Sequence, residues 1–165
     1  KLLVKKGADI NARDKDGIVS SMLICEMAAY YKGKGKNLYD VLLDIFHIYG
    51  YHYEDVFSII LEGRQGAEAI ISIMDSLRNN PPEALGGVKV IESIDYLNYE
   101  SPIGMPKENV LYFKFEDDSW FAIRPSGTEP KIKIYLSVEG EKKIDIEKRL
   151  EYLKNDINNL LDRLV

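Results

Sequence analysis

The residues between Arg124 and Lys133, within "RPSGTEPKIKIY" (124–135), bring together an arginine, two hydroxyls, a glycine and two lysines. Arg124 supplies a planar fork that matches two oxygens at once. Ser126 and Thr128 add hydroxyl donors, and Gly127 is expected to permit a backbone conformation that exposes successive amide N–H groups. Pro125 and Pro130 stiffen the two ends of the bend. A strand after the bend puts Lys131, Lys133 and Tyr135 on one face and Ile132 and Ile134 on the other, so the lysines can stay in the open. Side-chain charge over 124–133 is three positive (Arg124, Lys131, Lys133) against one negative, Glu129. Donors converging from several directions suit a tetrahedral dianion, and a phosphate ester is the best candidate. The same residue types also make an ordinary tight loop between strands. No G-x-x-x-x-G-K-[ST] run occurs, which excludes a Walker-type loop.

The elements around this bend follow from periodicity. Residues 17–31 are apolar almost all round, as in a helix buried on several sides whose neighbours are partly missing. "KGKGKN" (32–37) ends it, and Asn37 suits the N-cap of a second helix that Gly50 closes. Residues 55–63 have strand composition, 66–78 a helical stripe, and 88–97 strand composition again. "NVLYFKFEDDSWFAIRP" reads as a hairpin turning at Asp117-Asp118 and running straight into Arg124. A strand follows the bend, and Ile146, Leu150, Leu153, Ile157, Leu160 and Leu164 mark a last amphipathic helix. The expected fold is α+β, an antiparallel sheet with helices on one face. We place residues 1–50 in a preceding domain and helical linker, and 51–165 in a C-terminal domain.

Composition narrows the functions. With 165 residues, 45% of them hydrophobic and 30% charged, the chain has the balance of a globular protein. A net charge of −5 argues against a broad grip on nucleic acid or anionic lipid. Cys25, the single cysteine, has no internal partner and is expected as a small buried apolar residue in a reducing, cytoplasmic setting. There is no signal peptide and no apolar run near the ~20 residues of a membrane span. A lysine at the start suggests a piece of something longer.

Smaller candidates carry less. "KGKGK" is expected to be a solvated loop. His47 and His52 lack ligands at metal spacing, and the tyrosines of "YGYHYED" (49–55) are expected to pack beneath the linker. The last helix is expected to cover the sheet rather than to pair with a partner helix.

"RPSGTEPKIKIY" resembles the phosphate-binding loop in the C-terminal domain of the α-D-phosphohexomutases, the phosphoglucomutase and phosphomannomutase family. "ARDKDGIVSSMLICEMAAYY" is similar to the end of that family's third domain, and "KGKNLYDVLLDIFHIYGYHYEDVFSIILEG" to the connection into the fourth. "GAEAIISIMDSLRNNPP" and "EDDSWFAIRPSGTEPKIKIYLSV" continue in the family's order. The resemblance implies a TATA-binding-protein-like fourth domain that grips the phosphate not being transferred while a phosphoserine elsewhere exchanges phosphoryl groups with a hexose phosphate (glucose or mannose 1- or 6-phosphate). It implies phosphate contacts at Arg124, Ser126, Gly127 and Thr128, with a second cation at Lys133. Glu129 is expected to shape the loop and Lys131 to be solvated. Lys15, in "RDKDG" (13–17), matches a candidate general acid or base, although a charged turn before a helix is the simpler explanation.

The phosphoserine loop, the Asp-x-Asp-x-Asp motif that binds Mg2+ in the family and the third-domain sugar loop are all absent from the sequence. The resemblance therefore implies that magnesium and the remaining domains of a parent enzyme complete the site, and that this fragment alone is inactive. Upstream of Ala12, "KLLVKKGADIN" resembles the end of an ankyrin repeat instead. One partial repeat buries no face of its own. Two competing readings are a non-enzymatic protein-interaction module, using that start and the last helix, and RNA binding through Tyr112 and Trp120, which the net charge opposes.

Overall fold

The computed structural model describes residues 17–104 and 106–164. The chain divides into two compact units, Lys1–Tyr49 and Gly50–Val165.

In the first unit, α1 spans Ile18–Lys32 and α2 spans Leu38–Tyr49. Asn37 caps α2 reciprocally: its Oδ1 accepts from the Asp40 N–H at 3.0 Å, and Asp40 Oδ2 accepts from the Asn37 N–H at 2.8 Å. This satisfies two amides that the first helical turn would leave bare. Lys36 pairs with Asp44, and the Lys34 ammonium lies 4.3 Å from the centre of the Tyr30 ring, so two lysines of "KGKGK" have local partners. The α1 sequence predicts a helix buried on several sides, yet none of its residues is buried among those described. Ile18 is 61% exposed and Met22 54%, and Cys25 is exposed rather than buried.

The second unit is a two-layer α+β structure. Six strands, β1 (Tyr51–Ile60), β2 (Ala84–Leu85), β3 (Val88–Asp95), β4 (Leu111–Phe115), β5 (Trp120–Pro125) and β6 (Lys131–Gly140), form one sheet in the order β1-β6-β5-β4-β3-β2. Every neighbouring pair is antiparallel. Helices α3 (Gly63–Asn79) and α4 (Lys143–Asp162) share one core with a single face of the sheet. Leu111, Phe113, Phe115, Phe121, Ile123, Ile132, Ile134, Leu136 and Val138 line that face, and Ile73, Met74, Leu77, Leu153, Ile157 and Leu161 descend onto it from the helices. The Phe113 and Phe121 rings stack at 4.6 Å. Each fully buried phenylalanine contributes about 1.5–3 kcal/mol through removal of apolar area from water. Because strand side chains alternate, the opposite face keeps Tyr112, Trp120, Ala122, Arg124, Lys133 and Tyr135 at the surface or half-buried.

Two differences from the sequence reading have physical causes. Strand β1 starts at Tyr51 rather than at residue 55, because β6 continues to Gly140 and pairs residue for residue from Ile60↔Lys131 to Tyr51↔Gly140. Tyr51 and Tyr53 are thus strand residues. The turn region "NNPPEALGG" also holds β2, two residues paired to the start of β3, too short for any periodicity to reveal. Gly66 in α3 admits no side chain: a Cβ there would stand 1.9 Å from the Leu61 carbonyl oxygen, so glycine lets the helix start directly against the end of β1.

Arg149 of α4 fastens the hairpin that carries β5. Its Nε donates to Asp117 Oδ2 at 2.7 Å, and its terminal nitrogens donate to the carbonyls of Leu85 and Gly86, both at 3.2 Å, and to the Ser119 hydroxyl at 3.1 Å. The guanidinium also lies over the Phe115 ring at 5.0 Å. Asp117 accepts from the buried Ser119 through both backbone N–H and hydroxyl. Burial pushes the Asp117 carboxyl up, but the Ser119 hydroxyl and the Arg149 guanidinium outweigh it and hold the group below its ordinary value of 3.8.

Candidate functional site

β5 ends in Arg124 and Pro125, residues 126–130 make the bend, and β6 begins at Lys131. Ser126 N–H donates to the Lys131 carbonyl at 2.8 Å and Lys131 N–H to the Glu129 carbonyl at 2.8 Å, which closes the bend on itself. From outside, Leu61 N–H donates to the Pro130 carbonyl at 2.9 Å and ties the bend to the chain leaving β1. The amides of Gly127, Thr128 and Glu129 donate to no backbone carbonyl among the described residues. Three consecutive donors at a strand-to-strand elbow therefore remain available.

Strand pairing sets the charges. Arg124 stands directly opposite Lys133, and Lys133 is in turn opposite Ser58 of β1. Like charges directly opposite on one sheet face are unfavourable. Among the described residues neither cation has an ion-pair partner. The other lysine of the stretch behaves differently: Lys131 pairs with Glu129, and this hydrogen bond, reinforced by the charges of Lys131 and Lys133, holds the Glu129 carboxyl below its ordinary value. The pair cancels one charge of each sign, so the free charge of the elbow is the two-cation set Arg124 and Lys133.

The structure thus brings Arg124, Ser126, Gly127, Thr128 and Lys133 to one elbow. Gly127 corrects the sequence reading in one respect. Its φ is not in the left-handed region, and a Cβ built on it would meet nothing within 4 Å. The missing side chain, rather than backbone freedom, is what glycine contributes: it leaves the neighbouring amides open to close approach. Lys15 lies outside the described residues. Ser58 escaped the sequence reading, because only the β1–β6 register puts it beside Lys133. Among the described residues no three His, Cys, Asp or Glu side chains come together as a metal site. No helix of the described residues is long and apolar enough to cross a membrane.

Fold and elbow together define a class: a two-layer antiparallel α+β domain whose sheet has one open face and a donor-rich bend at one end of it. Residues 74–153, which include the whole bend, match the family model described as phosphoglucomutase/phosphomannomutase, C-terminal domain. The chain is 36% identical over 163 residues to a phosphoglucomutase of Staphylococcus haemolyticus, covering 93% of this chain and 28% of that protein. It is 43% identical over 136 residues to a phosphoglucomutase of Staphylococcus aureus, covering 77% and 24%. Among solved structures it is similar to the open form of the exocytosis-sensitive phosphoprotein parafusin, a phosphoglucomutase from Paramecium. That match has a TM-score of 0.63 at 20% identity, over 98% of this chain and 31% of the other, and speaks for the fold alone. The chain belongs to the phosphoglucomutase/phosphomannomutase family, whose C-terminal part it carries. It spans about a quarter of the length of the curated relatives it matches.

Proposed function

We propose that this chain is the phosphate-gripping C-terminal part of a hexose-phosphate mutase, holding the phosphate that is not transferred while the 1-phosphate and 6-phosphate of a sugar such as glucose or mannose interconvert. The observation that carries the reading is the facing pair Arg124 and Lys133, two cations without ion-pair partners among the described residues, beside a bend with three free amides. An arrangement that is unfavourable when empty becomes favourable once a dianion bridges it. Arg124 would take two phosphate oxygens, Lys133 would act as a point charge, and Ser126, Thr128 and the amides around Gly127 would fill the remaining lone pairs.

The role is positional. Fixing the inert phosphate holds the opposite end of the sugar in line with a phosphoryl donor supplied by the remaining domains of the parent enzyme. Orientation of this kind accounts for several kcal/mol of barrier reduction, out of roughly 7–11 attainable. Magnesium belongs, on this reading, to those other domains, and no step described here runs through it. Lys15 remains a proposed acid or base on the strength of the resemblance. A cytoplasmic location follows from the same proposal.

A titration of the 15N-labelled chain with glucose 6-phosphate tests it. Amide shifts clustered at 124–133 are expected, together with their loss in Arg124→Ala. Shifts confined to other regions would overturn the reading.

A further inference from the structure

Lys131 stands between the two groups of donors at the elbow. It opens β6 on the same sheet face as Lys133, one alternate position, or about 6.6 Å, nearer the bend. Ser126 N–H donates to its carbonyl, so the run of amides at Gly127, Thr128 and Glu129 starts beside it. An anion that bridges the Arg124–Lys133 row and those amides therefore passes over the Lys131 position. Yet the Lys131 ammonium is already engaged. Its side chain is only 22% exposed and is paired with the Glu129 carboxylate, which is itself 59% exposed. The charge of Lys133 bears on that carboxylate as well, so Glu129 sits beside both lysines of the strand. Around this group, β5 presents Arg124 opposite Lys133, and β1 brings only the uncharged Ile60 and Leu61 to the same end.

We infer that Glu129 is the resident counter-ion of the elbow, and that Lys131 leaves it for the incoming phosphate as a third cationic contact. The inference rests on the phosphate reading of the elbow and goes beyond it by assigning Lys131 and an exchange of partners. An exposed ion pair is weak, because water screens it and both side chains are long. Glu129 regains its hydration when released, whereas a phosphate dianion offers the ammonium twice the charge and several acceptor oxygens. The affinity is then set by the difference between two contacts of Lys131 rather than by the new one alone. The empty elbow is spared a third unpaired cation, and the filled one holds its anion less tightly than three free cations would. A site that gives up its phosphate in every turnover needs that moderation.

The exchange is tested on the 165-residue chain by calorimetry with glucose 6-phosphate, at low salt and about pH 8, where the ester is a dianion. Lys131→Gln should weaken binding about three- to fivefold, and Glu129→Gln should tighten it about two- to threefold. In the Lys131→Gln background the gain from Glu129→Gln should shrink below about 1.5-fold, since the carboxylate acts through the lysine. A second readout needs no variant: the Glu129 carboxyl is titrated by 13C NMR in the free chain and in the presence of saturating sulfate, which keeps both charges in mild acid. The free carboxyl should titrate below its ordinary value of 4.5, and sulfate should raise it to that value or above. Unchanged affinity in Lys131→Gln, shown folded by its thermal melt, overturns the exchange and leaves the elbow of Arg124 and Lys133 standing. So does a Glu129 carboxyl that stays below 4.5 with sulfate bound, a result that decides the matter even if Lys131→Gln does not fold. If the unaltered chain binds neither glucose 6-phosphate nor sulfate, the elbow reading falls, and the exchange falls with it.

Discussion

Arg124 and Arg149 are the same side chain in two contrasting settings of one domain. Arg149 is 12% exposed and spends its donors on a carboxylate, two carbonyls and a hydroxyl, with an aromatic ring beneath. Arg124 is exposed at the end of its strand and faces another cation. The first arrangement fixes the hairpin and α4 to each other and leaves nothing for a ligand. The second adds nothing visible to the fold. Charge placed where it opposes stability, among residues that are otherwise well satisfied, is a stronger pointer to binding than charge as such.

The contrast can be broken at its strong end first. Arg149→Ala should cost about 3 kcal/mol, because Asp117 and the buried Ser119 lose their partner together. Urea denaturation measures it, and a loss under about 0.5 kcal/mol would mean that the network is ornamental. The mirror-image result is expected for Arg124→Ala: stability within about 0.5 kcal/mol of the original, but phosphate affinity down at least about tenfold, or roughly 1.5–3 kcal/mol. Calorimetry on the same samples separates the two effects, and Arg124→Lys should recover only part of the loss, since an ammonium offers no fork.

A smaller effect comes from acid. The folded-state value of Asp117 lies below its unfolded one, so its contribution to stability is fully present above the ordinary value of 3.8 and is lost as pH falls through the lower folded value. Melting temperature should therefore decline below about pH 4, and less steeply in the Arg149→Ala variant. The smallest change concerns the bend itself. Glu129→Gln releases Lys131 from its ion pair, raises the local positive charge, and should tighten phosphate binding about two- to threefold at low salt, with the gain fading by 0.5 M. Unchanged affinity would mean that Lys131 stays remote from the anion.

Much of this was legible beforehand. The 3.6-residue stripe of Ile70, Met74 and Leu77 announced α3, and that of Ile146, Leu153 and Ile157 announced α4, since each helix must turn its apolar residues toward one core. The hairpin showed in alternating residues around Asp117-Asp118, where Asp118 does take a positive φ of 61°. The donors of the bend were readable as residue types. The first four residues of β1 were not, because the Tyr-His-Tyr-Glu alternation is short and polar, and the strand is extended through it only by lying along β6. α1 misled for a related reason: its apolar residues demand cover, and within the described residues none of them is buried.

By itself, the sequence determined the longer helices and strands and which face of each is apolar, because those follow from local periods of 3.6 and 2. It also determined that one bend is rich in donors. A period of 2 says nothing about which residue of another strand lies opposite. Only the folded sheet decided that Arg124 meets Lys133, that Ser58 flanks them, and that Ala122 stands between Tyr112 and Tyr135, for these are matters of register between strands.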